Sequence, residues 1–369
     1  MIIFPWLLKK NKMKILIPLT YITVYGKINN PFVSSLAKGL EECGNFVICS
    51  LDDFWQDFRR YDVIFIQWPD AFIDYVTNFG IESFRNHLNT IKQSGVKIVV
   101  TCHNLHPHNC NTQTTSIYHL VYSKADAFHH LGGYSFNLLS HQYPKKFHFI
   151  VPHHIADELF QEFCSKEQAK EKLQIPLNDI VISSFGAFRN SEEENLFINM
   201  ADDIGNKQIT YLAPRMIIGH LYHGRQIGKT IECLKKTWDC KRLNIKTKGS
   251  FMSNDEQSLW LAASDIVFIQ RKEILNSGNI PLAFSQGKIV VGPNLGNVGE
   301  ILTKTNNYIF NPQNRETVNI ATQKAIDKCR KSNDLGIRNL EYARENWNTA
   351  KVCHEIISYL SQFLEHPYK

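Results

Sequence analysis

No apolar run in this 369-residue sequence approaches the roughly 18 residues that a membrane-spanning helix needs. Cysteine is present without pattern: nine residues, an odd number, and no Cys-x-x-Cys pair. That argues against a disulfide framework and predicts reduced thiols in a cytosolic protein. Net charge is small, +6, too little to imply a nucleic-acid partner but suited to an anionic ligand or an anionic lipid surface. There is no internal repeat and no low-complexity segment, so solenoids and disordered tails are set aside.

What remains is the composition of an ordinary soluble globular protein, 43% hydrophobic and 21% charged, long enough for two domains. The start, "MIIFPWLLKKNK", carries its charges after its apolar stretch, unlike a signal peptide. It has two readings. One is an extension outside the fold, with Met13 as a second start. The other is a membrane-surface anchor built on Phe4, Trp6, Leu7 and Leu8 beside Lys9, Lys10 and Lys12.

Short apolar runs alternate with helical patterns. "KILIPL" (14–19), "FVICSL" (46–51), "DVIFIQW" (62–68), "VKIVVTC" (96–102), "DAFHHL" (126–131) and "FHFIVP" (147–152) read as strands buried on both faces. "PFVSSLAKGLEECG" (31–44) and "GIESFRNHLNTIKQSG" (80–95) read as helices. The rhythm restarts at "DIVISSFGAFR" (179–189), followed by a helix with Ser191 as N-cap and Glu194 closing a capping box. "QITYLAP" (208–214), "DIVFIQR" (265–271) and "KIVVGP" (288–293) are further strands, and "NDEQSLWLAAS" (254–264) is a helix. The expectation is an α/β protein with two Rossmann-like, doubly wound parallel sheets. The first domain spans 1–165, the second 176–345, and a last helical segment, 346–369, can pack on either.

Ligands of open parallel sheets bind beyond the carboxyl ends of the strands. Polar residues gather there repeatedly, in "TCHNLHPHN", "HHLGGYS", "VPHHIAD", "GAFRNSEEE" and "RKEILNSGNIP", which suggests a cleft between two domains. Ser277, Gly278 and Asn279 sit at a helix start, where backbone N–H groups can hold a diphosphate. Arg189 and, more weakly, Arg271 can neutralise it. Glu300 can accept from a ribose, or is a first-turn glutamate favoured by the helix dipole. Eleven of the 15 histidines lie between His87 and His154. His103, with Asn104, directly follows a strand and can bond a sugar hydroxyl or carry a proton. His108 and His153 are further candidate substrate contacts. His129–His130 and His153–His154 read as strand-end pairs with one member of each facing inward. His103, His106, His108 and Cys110 are near enough in sequence to form part of a zinc shell, but the spacing fits neither a helical pair nor a two-knuckle site.

The ordered set of these stretches resembles the GT-B glycosyltransferases, particularly bacterial ones of polysaccharide assembly. "NPFVSSLAKGLEECG", "VTCHNLHPHN", "KADAFHHLGGYS", "VPHHIADEL", "FGAFRNSEEENL", "LAASDIVFIQR", "NSGNIPLAFSQGKIVVGPNLGNVGEIL" and "NWNTAKV" carry the resemblance over about residues 30–350. It implies two Rossmann-like domains across a cleft and a nucleotide diphosphate sugar as donor, held by the second domain through Arg189 and Ser277–Gly278–Asn279. It places His103, the candidate catalytic residue, near the transferred sugar, and the last helix back on the first domain. It implies no metal and no cofactor, since positive side chains offset the leaving diphosphate. The expected partners are the nucleotide sugar, a glycan or lipid-linked glycan acceptor and the inner membrane surface, without nucleic acid. Many retaining members carry two glutamates separated by seven residues; here Ile274 and Leu282 stand in those places, with Glu273 one residue off, so those contacts do not carry over. Rival readings are an epimerase or hydrolase of the same fold, a non-catalytic sugar-nucleotide-binding partner, and a metal-dependent hydrolase. Asp126 and Asp157 are candidate bases by position alone.

Overall fold

The structure is a computed structural model that describes residues 12–19, 31–107, 111–155, 164–205, 207–216, 227–249 and 252–366. The chain forms two compact units, Met1–His154 together with Thr349–Lys369, and Ile155–Asn348.

The first unit is built on β1 (Lys14–Ile17), β2 (Phe46–Cys49), β3 (Val63–Ile66), β4 (Lys97–Thr101), β5 (Ala127–His130) and β6 (Phe147–Ile150). They form one parallel sheet in the order β2-β1-β3-β4-β5-β6. "VIFI" and the "IVVT" of β4 are wholly buried because helices cover both faces. Alternate residues serve opposite cores. Leu16, Ile64, Ile66, Ile98 and Val100 pack with Phe84, Leu88 and Ile91 of the helix Ile81–Ser94. Ile15, Val63, Phe65 and Val99 pack with the helices Pro31–Glu42 and Thr349–Glu365. The first of these helices offers Val33, Leu36, Ala37 and Leu40, a stripe at helical spacing, and the second offers Val352, Cys353, Ile356, Leu360 and Phe363. Gly39 lets them approach closely: a Cβ there would lie 2.6 Å from Cys353 Sγ and 2.8 Å from Thr349 Cγ2.

The second unit repeats the plan with β7 (Ile180–Ser183), β8 (Ile209–Leu212), β9 (Ile245–Lys246), β10 (Ile266–Phe268), β11 (Ile289–Pro293) and β12 (Tyr308–Phe310). The parallel order is β12-β11-β10-β7-β8-β9. Ile266, Phe268, Ile289 and Val291 meet the helices Ser191–Ile204 and Arg315–Lys331 on one face. Val267, Ile269 and Val290 meet Asn279–Ser285 and Gly296–Lys304 on the other.

Local details differ from expectation in four places. The cap of the helix Ser191–Ile204 is Asn190, whose side chain accepts from Glu193 N at 3.0 Å; the Ser191/Glu194 box does not form because the extended cap backbone falls one residue earlier. His129 and His130 are both buried, since helices shield both faces of β5. Glu300 is in the second turn of its helix, whose first turn holds no acidic residue. Asp126 precedes β5, so it lies at the amino-terminal edge of the sheet. There it accepts from Ile98 N at 2.9 Å and pairs with Lys92, which removes it as a base candidate near His103.

Candidate functional site

In the second unit three adjacent strands, β10, β7 and β8, are each followed by an arginine: Arg271, Arg189 and Arg215. Arg271 is buried. Its Nη1 donates to Ala187 O at 2.8 Å and forms an ion pair with the Glu193 carboxylate, which is 3% exposed. Glu193 Oε2 also accepts from Arg189 N at 2.9 Å, so one carboxylate fixes both the loop backbone and the Arg271 side chain. Arg189, exposed, reaches Glu273 O at 3.5 Å. Burial and the positive charges of Arg189 and Arg215 bring the Arg271 pKa down to about 10 against the pull of Glu193. Three guanidinium groups with one buried carboxylate between them leave an excess of positive charge at this edge.

Gly186 sits among the donors. A Cβ on it would lie 2.6 Å from Arg271 Nη2, 3.1 Å from Gln270 Nε2 and 3.3 Å from Asn279 Nδ2. Gln270, fully buried, ties the loops together: its Nε2 donates to Gly186 O at 2.9 Å and its Oε1 accepts from Ser184 Oγ at 2.7 Å. Ser277 Oγ accepts from Asn279 N at 3.3 Å, and Gly278 caps the helix Asn279–Ser285. Glu300 is exposed on Gly296–Lys304. The structure thus draws Arg271 and Asn279 together around Gly186, with Arg189 joined to them through Glu193. Sequence reasoning missed Glu193, Arg215 and Gln270; the polar residues ending "YLAPR" and "VFIQR" were the available signal.

The first unit gathers a different chemistry. His103 is 8% exposed and held in a turn by its N–H to Thr101 O at 2.9 Å. Its Nε2 faces Gln67 Oε1 at 3.1 Å, and its ring stacks on Trp68 at 4.2 Å between centroids. Phe32 packs edge-on to His103 at 5.1 Å and lies 4.4 Å from His153 and 4.5 Å from His154. All these groups follow β3, β4 and β6 or begin the helix after β1, so they share the carboxyl edge of the sheet. Asn104 is half-buried, and its carbonyl accepts from Tyr122 Oη at 2.6 Å, which pins the loop to the helix Thr112–Lys124. His106 is exposed. His108, Cys110 and Asp157 lie outside the described residues, as do residues 1–11 and 20–30. Among the described residues no three His, Cys, Asp or Glu side chains converge as a metal shell.

Burial favours the neutral form of the imidazoles of His103, His129, His153 and His154. Burial pushes His103 well below its ordinary value, reinforced by His153, His129 and His154. Burial likewise brings His129 and His153 to about 4. His129 bonds Thr101 Oγ1 at 3.1 Å and Val151 O at 2.9 Å, bracing the strand ends. This edge therefore offers neutral hydrogen-bonding groups and ring faces, in contrast to the arginines of the second unit. Gln67 and Trp68 were also missed in the sequence, although a glutamine closing the run "VIFIQ" is an unusual strand end.

Two such parallel α/β units define the GT-B fold, and the chain has it. It is similar to sucrose-phosphate synthase of Thermosynechococcus elongatus, at 13% identity over 96% of this chain and 100% of that one, with a TM-score of 0.67. HepE of Anabaena, solved in complex with UDP-glucose, is 15% identical over 95% of this chain and 100% of that one, TM-score 0.66. A putative UDP-N-acetylglucosamine 2-epimerase of Listeria monocytogenes is 11% identical over 96% and 98%, TM-score 0.60. No family model matches the sequence, and no curated protein matches it. No helix among the described residues is long and apolar enough to cross a membrane.

Proposed function

We propose that the protein is a glycosyltransferase that moves a hexose from a nucleotide diphosphate sugar to a glycan or lipid-linked glycan acceptor in surface polysaccharide synthesis. The observation that carries this reading is the arginine group around Gly186 in the second unit: Arg271 fixed by Glu193, Arg189 exposed beside it, and Asn279 within reach of the same space. Arg189 contacts the diphosphate, and Arg271, Asn279, Ser277 and Gly278 shape its seat. As the glycosidic bond breaks, negative charge grows on the leaving diphosphate, and fixed positive groups stabilise it without a metal. His103, in the first unit, orients the sugar through its imidazole, with Asn104, His108 and His153 as further contacts. Glu300 accepts from the ribose. HepE, which shares the fold, was solved with UDP-glucose, which supports a nucleotide sugar as the donor class. Catalysis takes place in the cytoplasm, at the inner face of the membrane, with residues 1–12 as the contact; liposome flotation of a chain lacking them tests this, and unchanged binding overturns it.

Incubation with UDP-, GDP- and dTDP-sugars, with and without chelator, tests the main reading through thermal shift and nucleotide release. Stabilisation by one nucleotide, insensitive to chelator, is expected. Arg189→Ala is expected to weaken nucleotide binding about tenfold or more, as loss of a charge-assisted contact does. A variant that binds like wild type refutes the role of Arg189, and a protein stabilised by no nucleotide refutes the reading. The likeness to the putative 2-epimerase supports a second reading, isomerisation of the same donor. It predicts a changed sugar nucleotide without any acceptor, whereas transfer requires one.

A further inference from the structure

Gln67 presents its two ends to different surroundings. It directly follows β3 and is 2% exposed. Its Oε1 meets His103 Nε2 at 3.1 Å. An amide oxygen only accepts, so that contact requires the proton of His103 on Nε2. The amide nitrogen of Gln67, by contrast, is buried and has no hydrogen-bond partner among the described residues. A buried donor left unpaired is a liability that a native fold seldom keeps without a reason. A second polar atom in the same cluster shares this condition: Nε2 of His154, a residue 1% exposed whose ring lies 4.5 Å from Phe32. Phe32 in turn lies 5.1 Å from His103. Two polar atoms without a partner among the described residues therefore belong to one cluster at the carboxyl edge of the first sheet.

We propose that Gln67 is the positioning residue of His103, holding its proton on Nε2, and that its amide N–H donates to an oxygen of a neutral, hydroxyl-bearing ligand, a sugar ring. The inference rests on the glycosyl-transfer reading above. The surroundings select the ligand class. Around His103 lie other imidazoles, His153, His129 and His154, and the ring faces of Phe32 and Trp68. A sugar supplies hydroxyls for the buried amide and imidazole and an apolar face for the rings. Phe32, Trp68 and His153 are the half-buried rings of the cluster, so the ligand reaches Gln67 by displacing one of them. The ring belongs either to the donor's hexose or to the acceptor glycan, and both present the same chemistry.

Histidine-selective ¹⁵N NMR on the full chain tests the positioning role, with the His103 signal identified by its loss in His103→Gln. A neutral ring protonated on Nε2 is expected at pH 7. Gln67→Leu is expected to mix the two tautomers. Gln67→Glu places a carboxylate opposite the N–H and is expected to give an imidazolium at pH 7. A wild-type His103 protonated on Nδ1 overturns the positioning role. Binding is then measured with UDP, GDP and dTDP, with their glucose or mannose conjugates, and with methyl glucoside. Gln67→Leu is expected to leave nucleotide affinity unchanged and to lower affinity for the sugar-bearing probe about tenfold, as loss of one buried hydrogen bond does. A loss confined to the conjugates assigns the donor's hexose; a loss confined to methyl glucoside assigns the acceptor. No loss in either arm, with nucleotide binding intact, overturns the ligand role and leaves the transfer reading standing. Failure of wild type to bind any nucleotide overturns the transfer reading, and the tautomer of His103 still decides the role of Gln67.

Discussion

Acidification from pH 7 to pH 5 is expected to destabilise the first unit selectively. His129 illustrates the magnitude. Burial lowers its pKa from 6.5 to about 4 in the folded protein. Above pH 6.5 the ring is neutral in both folded and unfolded chains and contributes no pH dependence. Below that value the unfolded chain takes up a proton that the folded chain refuses, so stability falls as the pH drops toward 4 and levels off beneath it. At pH 5 this one residue lowers stability by about 2 kcal/mol, from 1.36 kcal/mol per unit of pKa difference. His103, His130, His153 and His154 are shifted in the same direction by burial, and a domain's whole stability is about 5–15 kcal/mol. A few such groups suffice to open the sheet. Hydrogen exchange with mass spectrometry, expressed as protection factors, reads β3, β4 and β5 against β7 and β8. The described part of the second unit contains no histidine and so provides an internal reference. Protection in β3–β5 is expected to fall between pH 7 and pH 5 while that of β7 and β8 holds, and His129→Gln is expected to lessen the fall. Equal protection at both pH values, or an unaltered fall in His129→Gln, would refute the argument from buried neutral imidazoles.

Two further outcomes are expected. Arg271→Met strands the buried carboxylate of Glu193 and is expected to cost about 3–5 kcal/mol in chemical unfolding, with the double variant Arg271→Met/Glu193→Leu recovering a large part; a single-variant cost below about 1 kcal/mol would show that the pair is solvated. Gly39→Ala drives a methyl group into Cys353 Sγ and is expected to cost about 1–3 kcal/mol, seen as a lowered Tm that Cys353→Ala restores in part; an unchanged Tm would mean that the two helices separate freely.

The parallel strands were legible because "VIFI", "KIVVT" and "IVVGP" are unbroken apolar runs, as burial on both faces demands. Their ends were trimmed in the structure because flanking residues such as Gln67 and Cys102 already belong to the loops. β9 and β12, of two and three residues, are too short to show a period, and the polar helix Arg315–Lys331 gives a weak apolar stripe. Candidate residues were readable by position: His103 and Arg189 each follow a strand. Pairings were not. Glu193 meets Arg271 across 78 residues, and Gln67 meets His103 across 36; only the fold brings such partners together. Asp126 shows the converse, since a residue before a strand and one after it belong to opposite edges of the sheet.

The helix Thr349–Glu365 closes the hydrophobic core of a unit whose other residues end at His154. During synthesis the first sheet leaves the ribosome before the second unit but stays without the cover supplied by Val352, Ile356, Leu360 and Phe363 until that unit has been made. Ile155–Asn348, continuous in sequence, has all its parts before then. The sheet made first is thus the one sealed last. A chain that stops at Asn348 has its second unit complete and leaves an apolar face of its first unit open to water, to proteases and to other unfinished chains.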